Sequence, residues 1–247
     1  MTRCSLAILV SVLPPTFGAA AAAAPLKSID TSELAQKMAA APPAHWDFTL
    51  IDARSRVEFE EAHIDGALNI PTAAVRAQLP KLIKDRHRAL IFYCNGPRCT
   101  KSRHAAQTAQ ALGYGDVTEY NDGIPGWGKA GHPLAGKPLP AYDAPSITPG
   151  ALQAVLTRPD PPVLLDIRDA AEFAQWKIPG SRNVPLDELA KHAKDFGNWE
   201  ICLVDHAGFQ LAVAARLLHS LGVSRLTRLD GGVLAWQSKG FPVEVRH

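Results

Sequence analysis

An internal repeat constrains the fold of this chain more than any other feature of its sequence. The pattern Asp-x-Arg-x-x-x-Glu-Phe occurs at residues 52–59 and again at residues 166–173. Both copies continue in register to Pro71 and Pro185, and a Gly-containing segment that ends in Trp follows in each. Matches this long at a fixed spacing indicate a duplicated domain rather than a solenoid of short units.

The repeat divides the chain of 247 residues into four parts. Residues 1–24 carry a positive charge, a short apolar run and an alanine tract, which is the order found in a secretory signal peptide. An alanine-rich leader without defined structure is the alternative. The two domain copies are predicted at residues 25–136 and 148–247, joined by a proline-containing linker at 137–147. A cleaved signal predicts a periplasmic protein without membrane attachment after cleavage.

Each copy contains two short apolar strands, and the second leads through a turn into a helical stretch. The strands are predicted at residues 48–51, 89–93, 163–165 and 200–204, and the helical stretches at 101–112 and 210–221. A helix is predicted before the first strand of each copy, capped by Thr31 or Ser32 in the first and by Thr148 in the second. This alternation predicts an α/β fold of two tandem domains, each a mostly parallel sheet with helices on both faces.

Composition and charge exclude several classes of function. With 26 Lys plus Arg against 24 Asp plus Glu, nucleic acid and anionic membrane surfaces are not expected partners. No apolar stretch after the N-terminus is long enough to span a bilayer. Once Cys4 leaves with the signal, Cys94, Cys99 and Cys202 are too few for a disulfide scaffold. Their spacing does not match a zinc site, so no metal is expected.

The turn after the second strand of the first copy is predicted to carry the chemistry. There Cys94 ends an apolar strand and opens a tight turn into a helix. Converging backbone N–H groups and the helix dipole lower the pKa of a thiol in this position and hold an anion beside it. Arg98 and Lys101 add positive charge nearby. The alternative is that Cys94 is a small apolar residue that fills the strand end.

In content, order and spacing the repeated motifs and the strand ending in Cys94 resemble the rhodanese family of sulfurtransferases. The resemblance implies that the Cys94 thiolate takes the outer sulfur of thiosulfate or a similar small donor and carries it as a persulfide. Cyanide, a small thiol or a partner protein thiol would then remove that sulfur. No metal or organic cofactor is implied. The implied persulfide loop comprises Asn95, Gly96, Arg98, Cys99, Thr100 and Lys101.

The loop departs from the usual C-x-x-G-x-R-S pattern of this family. Pro97 stands where Gly is usual, Cys99 takes the place of Arg, and Thr100 stands where related phosphatases carry Arg. Phosphate-ester chemistry is therefore not expected. Cys99 is either a thiol that resolves the Cys94 persulfide or forms a disulfide with it, or a semi-buried thiol without such a role. Asp52 and Arg54 are assigned to structure, as a pair that supports the loop.

The second copy lacks the nucleophile. A gapless alignment puts Asp205 at the position of the cysteine, and Gln210 and Leu211 at the usual Arg and Ser positions. Cys202 lies inside the preceding strand and is predicted to be buried. The second copy is therefore expected to be a structural partner that shapes the cleft. Two alternatives to a sulfurtransferase remain open: a thiol-redox or sulfur-carrier protein that uses Cys94 and Cys99, and a noncatalytic binding module.

Overall fold

The computed structural model describes residues 25–245, and the predicted signal peptide at residues 1–24 lies outside them. This part of the chain forms two α/β domains in tandem. Each is built on a five-stranded sheet in which every strand pair is parallel. Among the described residues, no helix has the length and apolar character needed to cross a membrane.

The first domain has five strands and five helices. In chain order they are β1 (Lys27–Ile29), α1 (Thr31–Ala39), β2 (Phe48–Asp52), α2 (Arg56–Glu61), β3 (Leu68–Asn69), α3 (Val75–Leu82), β4 (Ala89–Tyr93), α4 (Lys101–Ala111), β5 (Val117–Tyr120) and α5 (Gly123–Lys129). The strand order is β1-β5-β4-β2-β3, so β4 lies at the centre of the sheet.

The second domain repeats this order and adds a short antiparallel strand pair, β8 with β12. Its elements are β6 (Ser146–Ile147), α6 (Pro149–Val155), β7 (Val163–Asp166), α7 (Ala170–Gln175), β8 (Trp176–Lys177), β9 (Arg182–Asn183), α8 (Leu189–Phe196), β10 (Ile201–Val204), α9 (Leu211–Ser220), β11 (Leu226–Leu229), α10 (Gly232–Ser238) and β12 (Glu244–Val245). Its parallel sheet has the order β6-β11-β10-β7-β9, with β10 at the centre.

Alternating side chains on the central strands bury both faces of each sheet. In β2, Leu50 belongs to the core on one face and its neighbour Ile51 to the core on the other. Helices α1 and α5 cover the first of these faces, and α3 and α4 cover the second. Strands buried on both faces are continuously apolar, which is why the strands were visible in the sequence. The predicted fold class, a mostly parallel sheet with helices on both faces in each domain, is confirmed.

The cap of helix α1 lies one residue before Thr31, the earlier of the two predicted cap positions. Its cap is Asp30, whose carboxylate accepts a hydrogen bond from the Glu33 backbone N–H at 2.8 Å. The Glu33 carboxylate in turn accepts from the Asp30 N–H at 2.9 Å, which completes a capping box. Neither Thr31 nor Ser32 is the cap, because Asp30 fills that position. The Thr31 N–H and hydroxyl both donate to Asp122. In the second domain Thr148 caps α6, as predicted.

The segment predicted as a linker, residues 137–147, contacts both domains. The Lys137 N–H donates to the Glu60 carbonyl at 2.7 Å, while Ala144 is buried in the core of the second domain. Its last two residues, Ser146–Ile147, form strand β6, which pairs with β11. These backbone hydrogen bonds extend the second sheet into the predicted linker.

Charged groups join the two domains near helix α2. The Asp187 carboxylate accepts from the backbone N–H groups of Arg56 and Val57 at 3.0 and 3.1 Å, and these are the first two N–H groups of α2. A carboxylate at a helix N-terminus is favoured by the helix dipole and satisfies unpaired donors. Glu61 pairs with Arg216 of the second domain. Both contacts join α2 to the second domain.

Candidate active site

Cys94 lies directly after β4, at the carboxyl end of the central strand of the first sheet. Only 1% of the residue is exposed. Its carbonyl accepts from the Ile124 N–H at 3.0 Å, which ties the loop to the start of α5. Gly123 has a positive φ of 59°, and a Cβ there would collide with the Cys94 carbonyl. Glycine is therefore required for this close backbone approach.

Several donors surround the Cys94 sulfur. The Cys99 thiol is the largest influence that lowers the pKa of Cys94, and the Cys94 Sγ atom lies 3.4 Å from the Cys99 carbonyl oxygen. Burial opposes this effect, and the Ser102 side chain and the backbone N–H groups of Ser102 and Asn95 add to it. The pKa of Cys94 falls to about 7. A substantial fraction of the sulfur is then thiolate, the nucleophilic form, at neutral pH.

Cys99 is buried beside Cys94, and both are free thiols. The hydrogen bond to Cys94, together with burial, raises the pKa of Cys99. Its backbone N–H donates to the Gly96 carbonyl at 2.9 Å, which closes the turn. Gly96 adopts a positive φ of 94°, and Thr100 is exposed at the N-terminus of α4. Cys99 thus lies within the turn that holds the sulfur and keeps its proton when Cys94 loses its own.

Asp52 and Arg54 form a buried ion pair under the loop. The Arg54 Nη2 and Asp52 Oδ2 atoms are 2.7 Å apart, and the side chains are 5% and 0% exposed. Burial alone would lower the pKa of Arg54, but Asp52 reverses the effect and raises it. Arg54 also donates to the Asn95 Oδ1 atom at 3.4 Å and to the Ala62 carbonyl. The pair therefore contacts the residue next to Cys94.

Glu58, the Glu of the repeated motif, connects the loop with the second domain. Its carboxylate is buried and accepts from Asn95 Nδ2 at 2.5 Å and from Gln210 Nε2 at 2.6 Å. Burial would raise the pKa of Glu58, but Lys101 and Arg54 outweigh it and lower the pKa. Glu58 thus stays ionised and orients Asn95, whose backbone N–H faces the sulfur.

The second domain covers the tip of the loop. The Arg98 guanidinium lies 5.1 Å from the centre of the Phe209 ring, a cation–π contact between the domains. Lys101 lines an interdomain cavity of about 250 Å³ together with Asp169. Burial would lower the pKa of Lys101, yet Glu58 and other acidic neighbours raise it. Its positive charge is therefore compensated, whereas the Arg98 charge is not paired with a carboxylate in the described structure.

Ser102 and Glu119 form a polar pair behind the sulfur. Ser102 Oγ lies 3.2 Å from Cys94 Sγ and donates to Glu119 Oε1 at 2.8 Å. Ser102 is fully buried and Glu119 is 3% exposed. The other Glu119 oxygen accepts from Arg103 Nε at 3.3 Å, and the Arg103 side chain is 56% exposed. A hydrogen-bonded chain thus leads from the sulfur to a surface arginine.

In the second domain Asp205 occupies the place of Cys94 after the central strand. Its carboxylate accepts from the backbone N–H groups of Gly208 and Gln210 at 2.5 and 2.8 Å. Burial raises the pKa of Asp205 to about 6, partly opposed by these two donors. The neighbouring His206 bonds to Glu172. Cys202 is buried in the core.

The gapless alignment of the two loops is wrong beyond the nucleophile. Helices α4 and α9 end in the same way, with Tyr114 N–H bonded to the Ala109 carbonyl and Val223 N–H to the Leu218 carbonyl. These bonds make Ala109 the counterpart of Leu218. Seven residues before each of them stand Ser102 and Leu211, so Leu211 corresponds to Ser102 rather than to Thr100. The second loop is shorter, since six positions separate Asp205 from Leu211 and eight separate Cys94 from Ser102. A gapless comparison could not detect this difference.

The sequence analysis did not identify Glu58, Ser102, Glu119 and Gln210 as site residues. For Glu58 a signal existed, because the Glu of the motif recurs in both copies, as Glu58 and Glu172. Ser102, Glu119 and Gln210 gave no such signal. They reach the site through helix register and strand pairing, which place residues distant in sequence next to the sulfur.

Comparison with known proteins agrees with this architecture. A family model described as "Rhodanese-like domain" matches residues 30–130 and 148–239. The chain is 35% identical over 88 residues to the HTH-type transcriptional regulator Rv0324 of Mycobacterium tuberculosis, a match that covers 36% of this chain and 38% of that protein. It is 31% identical over 77 residues to the putative sulfur carrier protein YrkF of Bacillus subtilis, covering 31% and 42%.

The thiosulfate sulfurtransferase PspE of Escherichia coli is 30% identical over 73 residues, covering 30% of this chain and 64% of PspE. The chain therefore spans less than two thirds of each of these three relatives. Sulfur-transfer proteins are among the proteins it resembles, and each of these matches involves about a third of the chain.

Proposed function

The chain belongs to the rhodanese family, with two domain copies, and on that premise we propose that it is a sulfurtransferase that works through a persulfide on Cys94. The donor is thiosulfate or a similar sulfane-sulfur compound, and the acceptor is cyanide or a thiol. The observation that carries the proposal is the environment of the Cys94 sulfur. Thiol, hydroxyl and backbone donors converge on it and lower its pKa to about 7.

The proposed reaction has two steps. The Cys94 thiolate attacks the outer sulfur of thiosulfate, the S–S bond of the donor breaks, and sulfite leaves with the electron pair of that bond. The product is the Cys94 persulfide anion. An acceptor such as cyanide then attacks the outer sulfur of the persulfide, which forms thiocyanate and returns the thiolate. The N–H groups that stabilise the thiolate are suited to stabilise the persulfide anion as well.

The charges near the loop bear on how an anionic donor approaches. Lys101 faces Glu58, Glu172 and Asp169, so its charge is compensated. The exposed Arg98 lies against an aromatic ring and keeps its charge available. We therefore propose that Arg98 attracts the donor, and that the donor passes the Arg98–Phe209 contact to reach the buried sulfur.

The test is sulfur transfer from thiosulfate to cyanide by the reduced protein lacking the signal, with the intact mass measured before and after donor is added. We expect a gain of one sulfur atom and turnover in the wild type, and neither in Cys94→Ala. Cys202→Ala is the matched control, because it removes a buried cysteine of the second domain and should retain both. If reduced wild type shows no adduct and no turnover, and Cys94 alkylates like an ordinary thiol, a noncatalytic binding module becomes the better hypothesis.

A second candidate function rests on the position of Cys99, a buried free thiol in the same turn that is the largest influence lowering the pKa of Cys94. In a sulfur carrier or thiol-redox protein, the Cys99 sulfur would attack the inner sulfur of the Cys94 persulfide. The products are a Cys94–Cys99 disulfide and hydrogen sulfide, and an external dithiol would reduce the disulfide. Cys99→Ser separates the two functions. If Cys99 resolves the persulfide, the Cys99→Ser variant should release no sulfide. If it does not, the variant should still transfer sulfur to cyanide.

The proposed cellular setting is the periplasm, reached through cleavage of the signal at residues 1–24. Its partners there would be small sulfur donors and thiol acceptors, including a protein thiol. Cell fractionation with N-terminal sequencing of the mature protein tests this proposal. A cytoplasmic, uncleaved chain would overturn it.

A further inference from the structure

A cavity of about 520 Å³ lies on the second domain, outside the chemistry proposed above. Its lining is mostly apolar and includes Leu156, Pro162, Ile178, Gly180 and Trp236. Cavities of this size and character commonly bind small molecules or large side chains. The corresponding place in the first domain shows which group such a cavity can hold.

In the first domain the corresponding space is filled by Trp46. Gly66 corresponds to Gly180 in the register of the repeat, and a Cβ added to Gly66 would lie 2.8 Å from atoms of Trp46 and Pro43. Chain neighbours aside, a Cβ added to Gly180 would have no heavy atom of the described structure within 4 Å. Both glycines have a φ of 78°, so the two domains differ here in the side chains above a similar backbone.

The contacts of Trp46 match the lining of the cavity. Its ring stacks on Phe48 with 4.9 Å between the ring centres, and it belongs to the core cluster that contains Ile64 and Trp127. Trp46 is 7% exposed. The counterparts of these three neighbours all line the cavity: Pro162, Ile178 and Trp236. The cavity therefore has the position and the walls of a tryptophan site.

The second domain lacks the residues that would fill this site. From the helix cap to the Asp of the motif there are 22 positions in the first domain, Asp30 to Asp52, and 18 in the second, Thr148 to Asp166. The additional residues of the first domain fall in segment 40–47, which carries Trp46. Within this segment the Trp46 indole N–H donates to the Ala41 carbonyl at 2.8 Å. A segment of this kind can thus satisfy its own indole N–H while the ring is buried.

The rim of the cavity carries a positive charge that the first domain lacks. Arg182 lines the cavity, and its guanidinium lies 4.9 Å from the centre of the Trp199 ring. No carboxylate of the described residues forms an ion pair with it. The counterpart of Arg182 in the first domain is Leu68. This charge favours an occupant that has an acidic group beside its aromatic side chain.

The cavity lies away from the loop that faces Cys94. It is lined by Val163, the first residue of β7, whereas the loop at residues 205–210 follows the last residue of β10. Strands β7 and β10 are parallel, so the cavity and the loop lie at opposite edges of the second sheet. A protein bound at the cavity therefore does not have to displace the contacts of this loop with the first domain.

We propose that the cavity is a docking site for a partner protein, which inserts a tryptophan side chain that has an acidic residue beside it. The inserted segment takes the place that segment 40–47 takes in the first domain. Aromatic side chains seated in pockets are frequent anchors of protein interfaces. Docking needs no sulfur donor, so its test is independent of the sulfurtransferase function.

The test is an NMR titration of the isotope-labelled protein lacking the signal with a peptide of residues 41–47, Ala-Pro-Pro-Ala-His-Trp-Asp. We expect saturable shifts of the backbone amide signals of cavity residues, which are Val163, Leu164, Gly180 and Arg182. The same peptide with Trp46→Ala should give no such shifts, because the aromatic side chain is the anchor.

The rim charge is tested with Arg182→Gln, which should weaken binding of the peptide about two- to fivefold at low salt, as expected for an exposed charge pair. Lys191→Gln is the matched control, because it removes an exposed lysine of α8 and should leave binding unchanged.

A loop exchange gives the converse measurement. Replacing residues 158–161 with residues 40–47 supplies the tryptophan within the chain, so it should fill the cavity and abolish peptide binding. If this variant does not fold, the two peptides and Arg182→Gln decide.

Three results would overturn the docking site: no saturable shifts at these amides in the wild type, equal shifts with the Trp46→Ala peptide, or unchanged binding by the folded exchange variant. Saturable shifts with free indole but none with the peptide would also overturn it, and would assign the cavity to small aromatic molecules.

Discussion

The loops that follow β4 and β10 differ in length, yet both direct backbone N–H groups at the side chain that follows the central strand. In the first, backbone N–H groups face the sulfur of Cys94. In the second, two backbone N–H groups are satisfied by the carboxylate of Asp205. Buried N–H groups need acceptors, so a loop that has lost its thiolate is stable only if something replaces it. The comparison shows that a carboxylate can satisfy the backbone N–H groups of such a loop where a cysteine is absent.

The surroundings of the two loops differ as well. Ser102 and Glu119 stand behind the sulfur, whereas the corresponding residues of the second copy are Leu211 and Arg228. The second copy contributes to the first site in another way, because Gln210 reaches across the interface to Glu58. The second domain therefore contributes a side chain to the surroundings of the Cys94 site.

The largest expected effect comes from moving the nucleophile between the copies. In the double variant Cys94→Ala with Asp205→Cys, we expect less than about 1% of wild-type sulfur transfer. The new thiol would have backbone donors but no counterpart of the Cys99 thiol or the Ser102 hydroxyl, so less of it would be thiolate, the nucleophilic form, at neutral pH. The thiosulfate-to-cyanide assay measures this. Transfer near wild-type levels would show that the loop backbone alone suffices.

The buried ion pairs should affect stability equally and activity unequally. Both Arg54→Ala and Arg168→Ala leave a buried aspartate unpaired, which costs about 3–5 kcal/mol of unfolding free energy. Only Arg54 also contacts Asn95, so only Arg54→Ala should lower sulfur transfer by the protein that remains folded. Denaturant unfolding and activity per folded molecule are the measurements. Equal loss of activity in both variants would contradict the assignment of Arg54 to the loop.

Asp205 should make stability depend on pH in a direction opposite to that of a salt-bridged carboxylate. Burial raises its pKa from 3.8 in an unperturbed chain to about 6 in the fold, so the folded state binds the extra proton between these values. Its contribution to stability is therefore present below about pH 4 and is lost as pH rises through 6.

Asp205→Asn removes this titration. The unfolding free energy of the wild type, minus that of the variant, should fall on the order of 2–3 kcal/mol between pH 4 and pH 7. Denaturant unfolding of both proteins at several pH values gives the difference, and other titrating groups cancel in it. A difference that stays constant with pH would show that Asp205 is already ionised at pH 4.

The smallest expected effects concern the contact between domains. Gln210→Ala removes a buried hydrogen bond to the charged Glu58 and should lower the unfolding free energy by about 1.5 kcal/mol. Because Glu58 also bonds to Asn95, next to Cys94, the variant should measurably change the alkylation rate of Cys94. Arg216→Ala is the control: it removes a more exposed interdomain pair with Glu61, should cost less than about 1 kcal/mol, and should leave the alkylation rate unchanged. Equal alkylation rates in both variants would contradict a link between Gln210 and the loop.

Much of the fold could be predicted from the sequence because strands buried on both faces are continuously apolar and the motif repeats. Strand β4 was predicted with its observed bounds, Ala89–Tyr93, and the other predicted strands and helices differ from the observed ones by at most one residue at either end. Only strands β2, β4, β7 and β10 were predicted. The other strands of the described structure have two to four residues, too few for a detectable periodicity. The cap at Asp30 was missed because Asp, Thr and Ser all cap helices well and stand next to one another.

By itself the sequence determined the duplication, the α/β class and the position of Cys94 at the end of a strand, because these depend on local pattern and on order along the chain. The tertiary structure alone decided what surrounds the sulfur. Glu119 meets Ser102 through the pairing of β4 with β5, and Gln210 meets Glu58 because the two domains are in contact there. Such contacts depend on register and on the interface, which no local pattern in a single chain specifies.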